Sequence, residues 1–188
     1  MFCLWLVLPG NPAGLSHDAM RMVISHVDTV RYGIFIWDAG VRSHMDRFMQ
    51  VAIDEAKKGR AEGGIPIGSV LVRGERIIGK GHNRRVQDDD PVLHAEIDCL
   101  RNAGRIGTYR NTVLYSSLMP CYLCSGAVVQ FGIPKVIAGE AHTFPGARDF
   151  LVEHGVEVID LNLTECIVMM QEFIVANPRL WNEDIGEL

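Results

Sequence analysis

The first regular pattern in the chain is a stripe of apolar side chains at helical spacing over residues 46–59. Its members recur at intervals of three and four positions: Phe48, Met49, Ala52, Ile53 and Ala56. Gly59 follows as a typical C-terminal stop. Two apolar and β-branched runs come next, at 65–72 and 77–81, and the turn sequence around Gly74 joins them. This arrangement predicts a helix followed by an antiparallel hairpin.

The rest of the chain alternates between helix and strand patterns. Helices are predicted over 94–103, 122–131, 148–154 and 163–176, and strands over 112–117, 135–138 and 156–159. Strands that alternate with helices favour a parallel sheet covered on both faces, and the hairpin adds antiparallel strands at its edge. The pattern therefore predicts an α/β fold, a three-layer α/β/α sandwich around a central mixed sheet of five strands.

Residues 1–44 lack this regularity. They are rich in turn residues over 10–14, weakly helical over 20–30 and aromatic over 32–37, and they contain no recognisable site chemistry. Met45 stands directly before the first strong helix pattern. We therefore predict an N-terminal extension at 1–44 and one domain at 45–188. The sequence leaves open whether the extension is native or a leader translated from an earlier start codon.

Composition narrows the function classes. With 48% hydrophobic residues, the 188-residue chain can bury one sizeable core. No apolar run reaches the roughly 18 residues of a membrane span. The 18 basic and 23 acidic residues give a net charge of −5, which argues against a nucleic-acid partner. Five scattered cysteines do not form a disulfide framework. We expect a cytoplasmic protein without a membrane partner.

Two groups of metal-ligating residues directly precede predicted helices. His94 begins the 94–103 helix, and Cys121 and Cys124 flank the start of the next one. A helical turn brings two thiols at this spacing to the same side, and the helix dipole favours thiolate. One imidazole and two thiolates suit Zn²⁺ and leave its fourth position open for water, as in catalytic sites. The spacing predicts one Zn²⁺ per chain.

Glu96 is the predicted proton carrier. It lies two residues beyond His94, about 200° around the helix, so it is not expected to be a fourth ligand. From the first helical turn it can reach a metal-bound water, accept its proton and act as the catalytic acid.

Other interpretations of these residues stay open at this point. A Cys-x-x-Cys pair can be a closed structural zinc site or a redox pair, and a zinc-stabilised binding module would have no catalytic role. A closed site needs a fourth ligand, and the other cysteines are poorly placed to supply it. Cys99 lies about 140° around the helix from His94, and Cys166 belongs to the last predicted helix.

His-x-Glu followed by Pro-Cys-x-x-Cys resembles the zinc signature of nucleobase deaminases. Over nearly all of 46–188 the sequence resembles the fungal-type cytosine deaminases of the cytidine and deoxycytidylate deaminase superfamily. The segments that carry this resemblance lie at 62–68, 81–83, 93–97, 120–124, 132–134 and 181–187. The resemblance implies zinc-dependent conversion of a free base, cytosine, to uracil and ammonia.

The resemblance also implies a substrate pocket. Asn83 and the backbone N–H of Ala95 would bind the base carbonyl, and Asp184 would accept a hydrogen bond from a ring N–H. Phe144 and Trp181 would form an aromatic cap over the base, and Ile67 would form the apolar floor. The backbone carbonyl of Met119 would accept a hydrogen bond from the metal-bound water. Members of the superfamily are usually dimers or tetramers, so a homodimer that buries the face of the 122–131 helix is expected.

Three departures from the family pattern bear on the substrate. Met119 stands where Ser or Glu is common, Ala95 replaces a glycine, and Asn182 replaces an aromatic residue. Each change could alter which heterocycle fits, so guanine, isocytosine or a creatinine-like ring remain alternatives to cytosine. A tRNA adenosine deaminase is a further alternative, opposed by the net charge and by Asp184, which would obstruct a ribose.

Overall fold

The computed structural model describes residues 46–187. The predicted extension at 1–44 and the patterns within it lie outside the described residues. The helices are α1 (Arg47–Ala61), α2 (Arg85–Asp88), α3 (Ala95–Ala103), α4 (Tyr122–Phe131), α5 (Arg148–Glu153), α6 (Thr164–Ala176) and α7 (Pro178–Ile185). The strands are β1 (Gly68–Arg73), β2 (Arg76–His82), β3 (Val113–Ser116), β4 (Lys135–Ala138) and β5 (Glu157–Asp160). Within this part of the chain, no helix is both long enough and apolar enough to cross a bilayer.

The strands form one mixed sheet in the order β2-β1-β3-β4-β5. Strand β1 pairs antiparallel with β2 and with β3, whereas β3, β4 and β5 run parallel. The crossovers between parallel strands contain helices, as parallel connections require. The predicted mixed five-stranded sheet is therefore confirmed.

Alternation of side chains along each strand divides the core into two layers. Val70 faces α1 and α6, while its neighbour Leu71 faces α3, α4 and α5. The same division separates Tyr115 from Leu114 and Ile137 from Val136, because successive strand residues point to opposite faces. The helices thus cover both faces of the sheet, which confirms the three-layer sandwich.

Three elements differ from the sequence prediction, one of which is helix α2, which was not predicted. Strand β1 begins at Gly68 rather than at residue 65, and a side chain there is sterically excluded because a Cβ would lie 2.1 Å from the carbonyl oxygen of Ala52. Pro178 ends α6, as expected, but it also begins α7, since proline is well suited to the first position of a helix. The C-terminal segment is therefore a helix rather than an irregular tail.

Helix α7 packs on a third apolar cluster beside the sheet. Trp181 is 5% exposed there and contacts residues from distant parts of the chain. The buried members that accompany it are Ile65, Ile67, Ala95, Leu118, Met170 and Phe173. This cluster places the C-terminus of the chain next to the start of α3, where His94 lies.

Candidate active site

The site lies at one edge of the sheet, where several elements end or begin. Register pairs Gly68 with His82 and Ser69 with Ser116, so the start of β1 and the ends of β2 and β3 meet at this edge. Parallel strand β4 ends beside β3. Ligand sites in such folds are expected at the carboxyl ends of the strands, next to the switch in strand order.

His94, Cys121 and Cys124 converge at this edge. Their ligand atoms all lie within 4.8 Å of one another, and His94 Nδ1 is 3.5 Å from Cys121 Sγ. His94 and Cys121 are the N-cap residues of α3 and α4, with extended backbones and ψ of 165° and 176°. Neither side chain caps its own helix. Both side chains are therefore available to a metal ion.

The geometry of these donors fits zinc. Tetrahedral zinc with Zn–S of about 2.3 Å and Zn–N of about 2.0 Å places sulfur and nitrogen about 3.5 Å apart, which is the separation between Cys121 and His94. The donor set of one imidazole and two thiolates also suits zinc. Among the residues described, this is the only group of metal-ligating side chains at metal-binding distances.

The other two cysteines within 46–187 do not contribute to this group. Cys99 is fully buried in the core layer beneath α3, and Cys166 is buried against α1 and the opposite face of the sheet. Burial raises the pKa of the Cys166 thiol to about 12 and that of Cys99 further. Within 46–187, no fourth cysteine or histidine joins the three donors.

The site favours a thiolate at Cys121 even before a metal is considered. A hydrogen bond from the Cys124 thiol lowers the pKa of Cys121, and His94 lowers it further. Burial acts in the opposite direction, and the resulting pKa is about 4. Thiolate is the metal-binding form of cysteine, so this environment prepares the ligand.

Glu96 lies beside the three donors but outside their cluster. Its carboxylate is 3% exposed, and Oε1 accepts a hydrogen bond of 2.8 Å from the Ser116 hydroxyl. Burial, reinforced by the charge of Cys121, raises the pKa of Glu96. A carboxyl group with a raised pKa can both accept and return a proton near neutral pH.

The predicted base contacts lie on the other side of the cavity. Asn83 is fully buried at the end of β2, and its Nδ2 lies 3.4 Å from Asp184 Oδ1. Asp184 projects from α7 with its side chain 6% exposed, and the same oxygen lies 3.8 Å from His94 Nε2. The Ala95 N–H occupies the first position of α3, where no intrahelical acceptor exists.

The remaining predicted contacts form the walls of the cavity. Phe144 and Trp181 meet edge to face, with ring centroids 5.7 Å apart and an interplanar angle of 89°. The cavity measures about 20 Å³, room for about one water. It is lined by Ile67, Asn83, His94, Glu96, Leu118, Met119, Cys121, Phe144, Trp181 and Asp184. A planar base can enter only if the aromatic cover or α7 moves.

The loop that carries Phe144 is organised by a buried carboxylate. Glu140 is fully buried and accepts hydrogen bonds from the backbone of His142 and Thr143, at 2.6 and 2.9 Å. Gly146 has a φ of +59° and lies against Pro120, where a Cβ would be 2.5 Å from the carbonyl oxygen. The loop therefore turns tightly over the segment that leads to Cys121.

Sequence reasoning did not identify three residues that contribute to this site. Ser116 was assigned only to a strand, although it ends β3 next to the helix that carries Glu96. Leu118 lines the cavity. Arg85 pairs with Asp184 at 2.8 Å. The position of Arg85 two residues after Asn83 was a usable signal, but only the folded chain shows which acid it meets.

Comparison with known proteins places this arrangement in context. Residues 42–140 match the family model described as the cytidine and deoxycytidylate deaminase zinc-binding region. A cytosine deaminase of Candida albicans is 46% identical over 142 residues, which cover 74% of this chain and 95% of that protein. These two matches include the segments that contain His94, Cys121 and Cys124.

Other relatives are similar at lower sequence identity. A tRNA-specific adenosine deaminase of Haemophilus influenzae is 39% identical over 140 residues, covering 68% of this chain and 81% of that one. A solved structure from work on A-to-I editing by tRNA:A34 deaminases superimposes with a TM-score of 0.53 at 28% identity. It covers 61% of this chain and 96% of that structure. Similarity therefore extends to proteins named for two different substrates, cytosine and tRNA adenosine.

Proposed function

Because the chain belongs to the cytidine and deoxycytidylate deaminase family, we propose that it hydrolyses free cytosine to uracil and ammonia. The observation that carries this choice is Asp184, a buried carboxylate that lines the same cavity as Glu96. A free base has a ring N–H that can donate to such a carboxylate, whereas a nucleoside has a ribose at that position. The 46% identity with the Candida albicans cytosine deaminase supports the same choice.

We assign the metal to His94, Cys121 and Cys124. When zinc is bound there, it supplies Lewis-acid chemistry that lowers the pKa of a bound water towards neutrality. Glu96 would accept a proton from the attacking water and deliver it to N3 of cytosine. It would then carry the proton of the new C4 hydroxyl to the amino group, so that the C4–N bond breaks, C4 becomes a carbonyl and ammonia leaves.

The other side chains orient and enclose the base. Asn83 and the Ala95 N–H donate to the base carbonyl, and Asp184 accepts from the ring N–H. Phe144 and Trp181 cover the ring, Ile67 supports it from below, and the Met119 carbonyl accepts a hydrogen bond from the water. The closed cavity excludes bulk water and strengthens these polar interactions. Movement of α7 is required for substrate entry and for product release.

We also propose that the active protein is a cytoplasmic homodimer that contributes to pyrimidine salvage. Helix α4 presents apolar side chains to solvent, with Tyr122 71% exposed and Leu123 and Phe131 each 44% exposed. Phe131 also lines a groove of about 1070 Å³ with Ile97 and Tyr109. Val128, by contrast, is fully buried in the core of its own chain. Sedimentation equilibrium should show a dimer that Phe131→Glu dissociates.

A tRNA adenosine substrate is the second candidate, because a tRNA-specific relative is 39% identical to this chain over 140 residues. Asp184 and α7 argue against it, since they close the side of the cavity through which a ribose would pass. The net charge of −5 also offers little attraction to a phosphate backbone.

Ammonia release from a panel of substrates tests the proposal. The panel contains cytosine, isocytosine, guanine, creatinine, cytidine and a tRNA anticodon stem-loop with a target adenosine. We expect kcat/KM for cytosine to exceed that for every other substrate, and cytidine to react at least 100-fold more slowly. Faster turnover of guanine or of the stem-loop would overturn the assignment.

A further inference from the structure

We propose that Arg85 is a positioning residue that sets recognition of the ring N–H of the base, by fixing both Asp184 and Asn83. This inference rests on the proposed function. Arg85 begins α2, directly after the segment that contains Asn83, and its side chain is only 11% exposed. A nearly buried guanidinium beside Asp184, which lines the cavity, needs a specific set of acceptors, because an unpaired buried charge is strongly destabilising.

The guanidinium of Arg85 joins two distant segments of the chain. Nη1 donates to Asp184 Oδ1 at 2.8 Å, and Nη2 lies 3.5 Å from Glu183 Oε1, both on α7. Nε donates at 3.1 Å to the carbonyl oxygen of Pro91, which lies three residues before His94. The contacts hold the C-terminal helix against the segment that leads to the metal ligands.

Among residues 46–187, the hydrogen bonds and ion pairs of the Asp184 carboxylate all use one oxygen. Arg85, Asn83 and His94 approach Oδ1 at 2.8, 3.4 and 3.8 Å. Within residues 46–187, no hydrogen bond reaches Oδ2. Asp184 lines the cavity, so the pairing with Arg85 fixes the plane of the carboxylate and leaves Oδ2 as the acceptor for a ring N–H.

The backbone of Arg85 fixes the second base contact. Its N–H donates at 3.1 Å to Asn83 Oδ1, which identifies the other end of the amide as Nδ2. Nδ2 carries two hydrogens, one of which points to Asp184. The other remains for the base carbonyl. Arg85 thus orients both Asp184 and Asn83, the two side chains proposed to bind the edge of the free base.

The test is a double-mutant cycle with Arg85→Gln and Asp184→Asn, assayed on cytosine. Arg85→Gln keeps a hydrogen-bonding side chain but removes the charge and the fork geometry. We expect it to lower kcat/KM about 30-fold, mainly through KM, with zinc content unchanged. Asp184→Asn should lower kcat/KM about 100-fold. In the Asp184→Asn background, Arg85→Gln should cost less than about threefold, because its effect acts through Asp184.

Two further variants control for a general structural effect. Arg84→Gln removes the neighbouring arginine, which is 40% exposed and pairs with Asp88 at 3.0 Å, so kcat/KM should stay within twofold of wild type. Arg85→Lys keeps the charge but lacks the planar fork, and should lose three- to tenfold. If Arg85→Gln does not fold, the cycle is run with Arg85→Lys, and its loss should shrink to less than twofold beside Asp184→Asn.

The inference would be overturned if the two substitutions acted independently. In that case Arg85→Gln, or Arg85→Lys in its place, would reduce kcat/KM by the same factor in the wild-type and Asp184→Asn backgrounds. A loss confined to kcat would also overturn it. Failure of the proposed function is separately visible, because the wild-type protein would then not deaminate cytosine. The same cycle can be run on whichever amino-heterocycle with a ring N–H the wild type does deaminate.

Discussion

The two sides of the cavity are built in different ways. The metal side consists of side chains at the starts of α3 and α4, and both helices pack directly on the sheet. The base side takes Asn83 from the end of β2, Phe144 from a loop and Asp184 from the last helix. The first side is fixed by the central core, whereas the second depends on α7 and its contacts staying in place.

This difference separates the residues proposed for the chemical step from those proposed for substrate selection. Short spacings at helix starts place the metal donors and Glu96, and the chemistry proposed for them does not depend on one particular ring. In the proposed function, the base side selects the ring that is held against them. Variants of the metal side should therefore abolish turnover, while variants of the base side should change KM and substrate choice.

Loss of one thiolate ligand should have the largest effect and breaks the metal side alone. Cys124→Ala leaves two ligands, so we expect substoichiometric zinc and at least a 10³-fold loss of activity. Cys99→Ala is the matched control, because Cys99 is equally buried but lies outside the donor cluster. It should retain one zinc per chain. Metal analysis with cobalt substitution checks both variants, and full metal binding by Cys124→Ala would contradict the assignment.

A change in the aromatic cover should act on the base side. Trp181→Leu removes the ring that meets Phe144, and we expect KM to rise about tenfold with kcat changed less. Phe173→Leu alters the same apolar cluster without lining the cavity. Both substitutions should cost about 1–3 kcal/mol of stability. Steady-state kinetics and thermal unfolding distinguish them, and equal changes in KM would remove Trp181 from the pocket.

The sequence predicts the metal side well because its information is local. The spacing of Cys121 and Cys124 and the placement of His94 before a helix are readable without the fold. The base side is not local: Phe144 and Asp184 were assigned only through a family resemblance. The pairing of Arg85 with Asp184 depends on the packing of α7. The sequence analysis did not predict this helix, because Pro178 was interpreted only as the end of the preceding helix.

The fold was predictable to a similar degree. Alternating strand and helix patterns are sufficient for the three-layer sandwich, since the central strands carry apolar residues on both faces and need helices on each side. The start of β1 was not predictable, because the close approach of Gly68 to Ala52 is a tertiary contact.

Removal of the hydrogen bond to Glu96 should have a smaller effect on turnover and tests the metal side without removing a ligand. Ser116→Ala should lower kcat three- to tenfold, because Glu96 loses the donor that orients it. Ser117→Ala is the control, since the Ser117 hydroxyl accepts from the Gly68 N–H rather than from Glu96. Its kcat should stay within twofold. A pre-steady-state measurement of the chemical step would contradict this role if both variants behaved alike.

The smallest effect concerns the polar cluster beneath Asn83. Burial opposes ionisation of Glu55, but hydrogen bonds from Lys80 and His82 lower its pKa below the ordinary 4.5. A lowered pKa stabilises the fold above pH 4.5, and this contribution is lost as the pH falls through the folded-state value. Glu55→Gln should therefore lower the Tm by about 2–4 °C at pH 7, and the difference should be smaller at pH 3.

The exposed Glu75 provides the control for this pH dependence. It is 84% exposed and pairs with Arg47, so Glu75→Gln should leave the Tm unchanged at both pH values. A Tm difference for Glu55→Gln that persists unchanged at pH 3 would show that the carboxylate charge is not the source of the stabilisation.

Ammonia release from cytosine by zinc-loaded Glu96→Gln, compared with the zinc-loaded wild type, tests the central claim most directly. Glutamine preserves the size of the side chain and its hydrogen bond from Ser116, but it cannot carry the proton. We predict one zinc per chain in both proteins, equal release of uracil and ammonia by the wild type, and a rate at least 10³-fold lower in the variant. Comparable rates in the two zinc-loaded proteins would contradict the account.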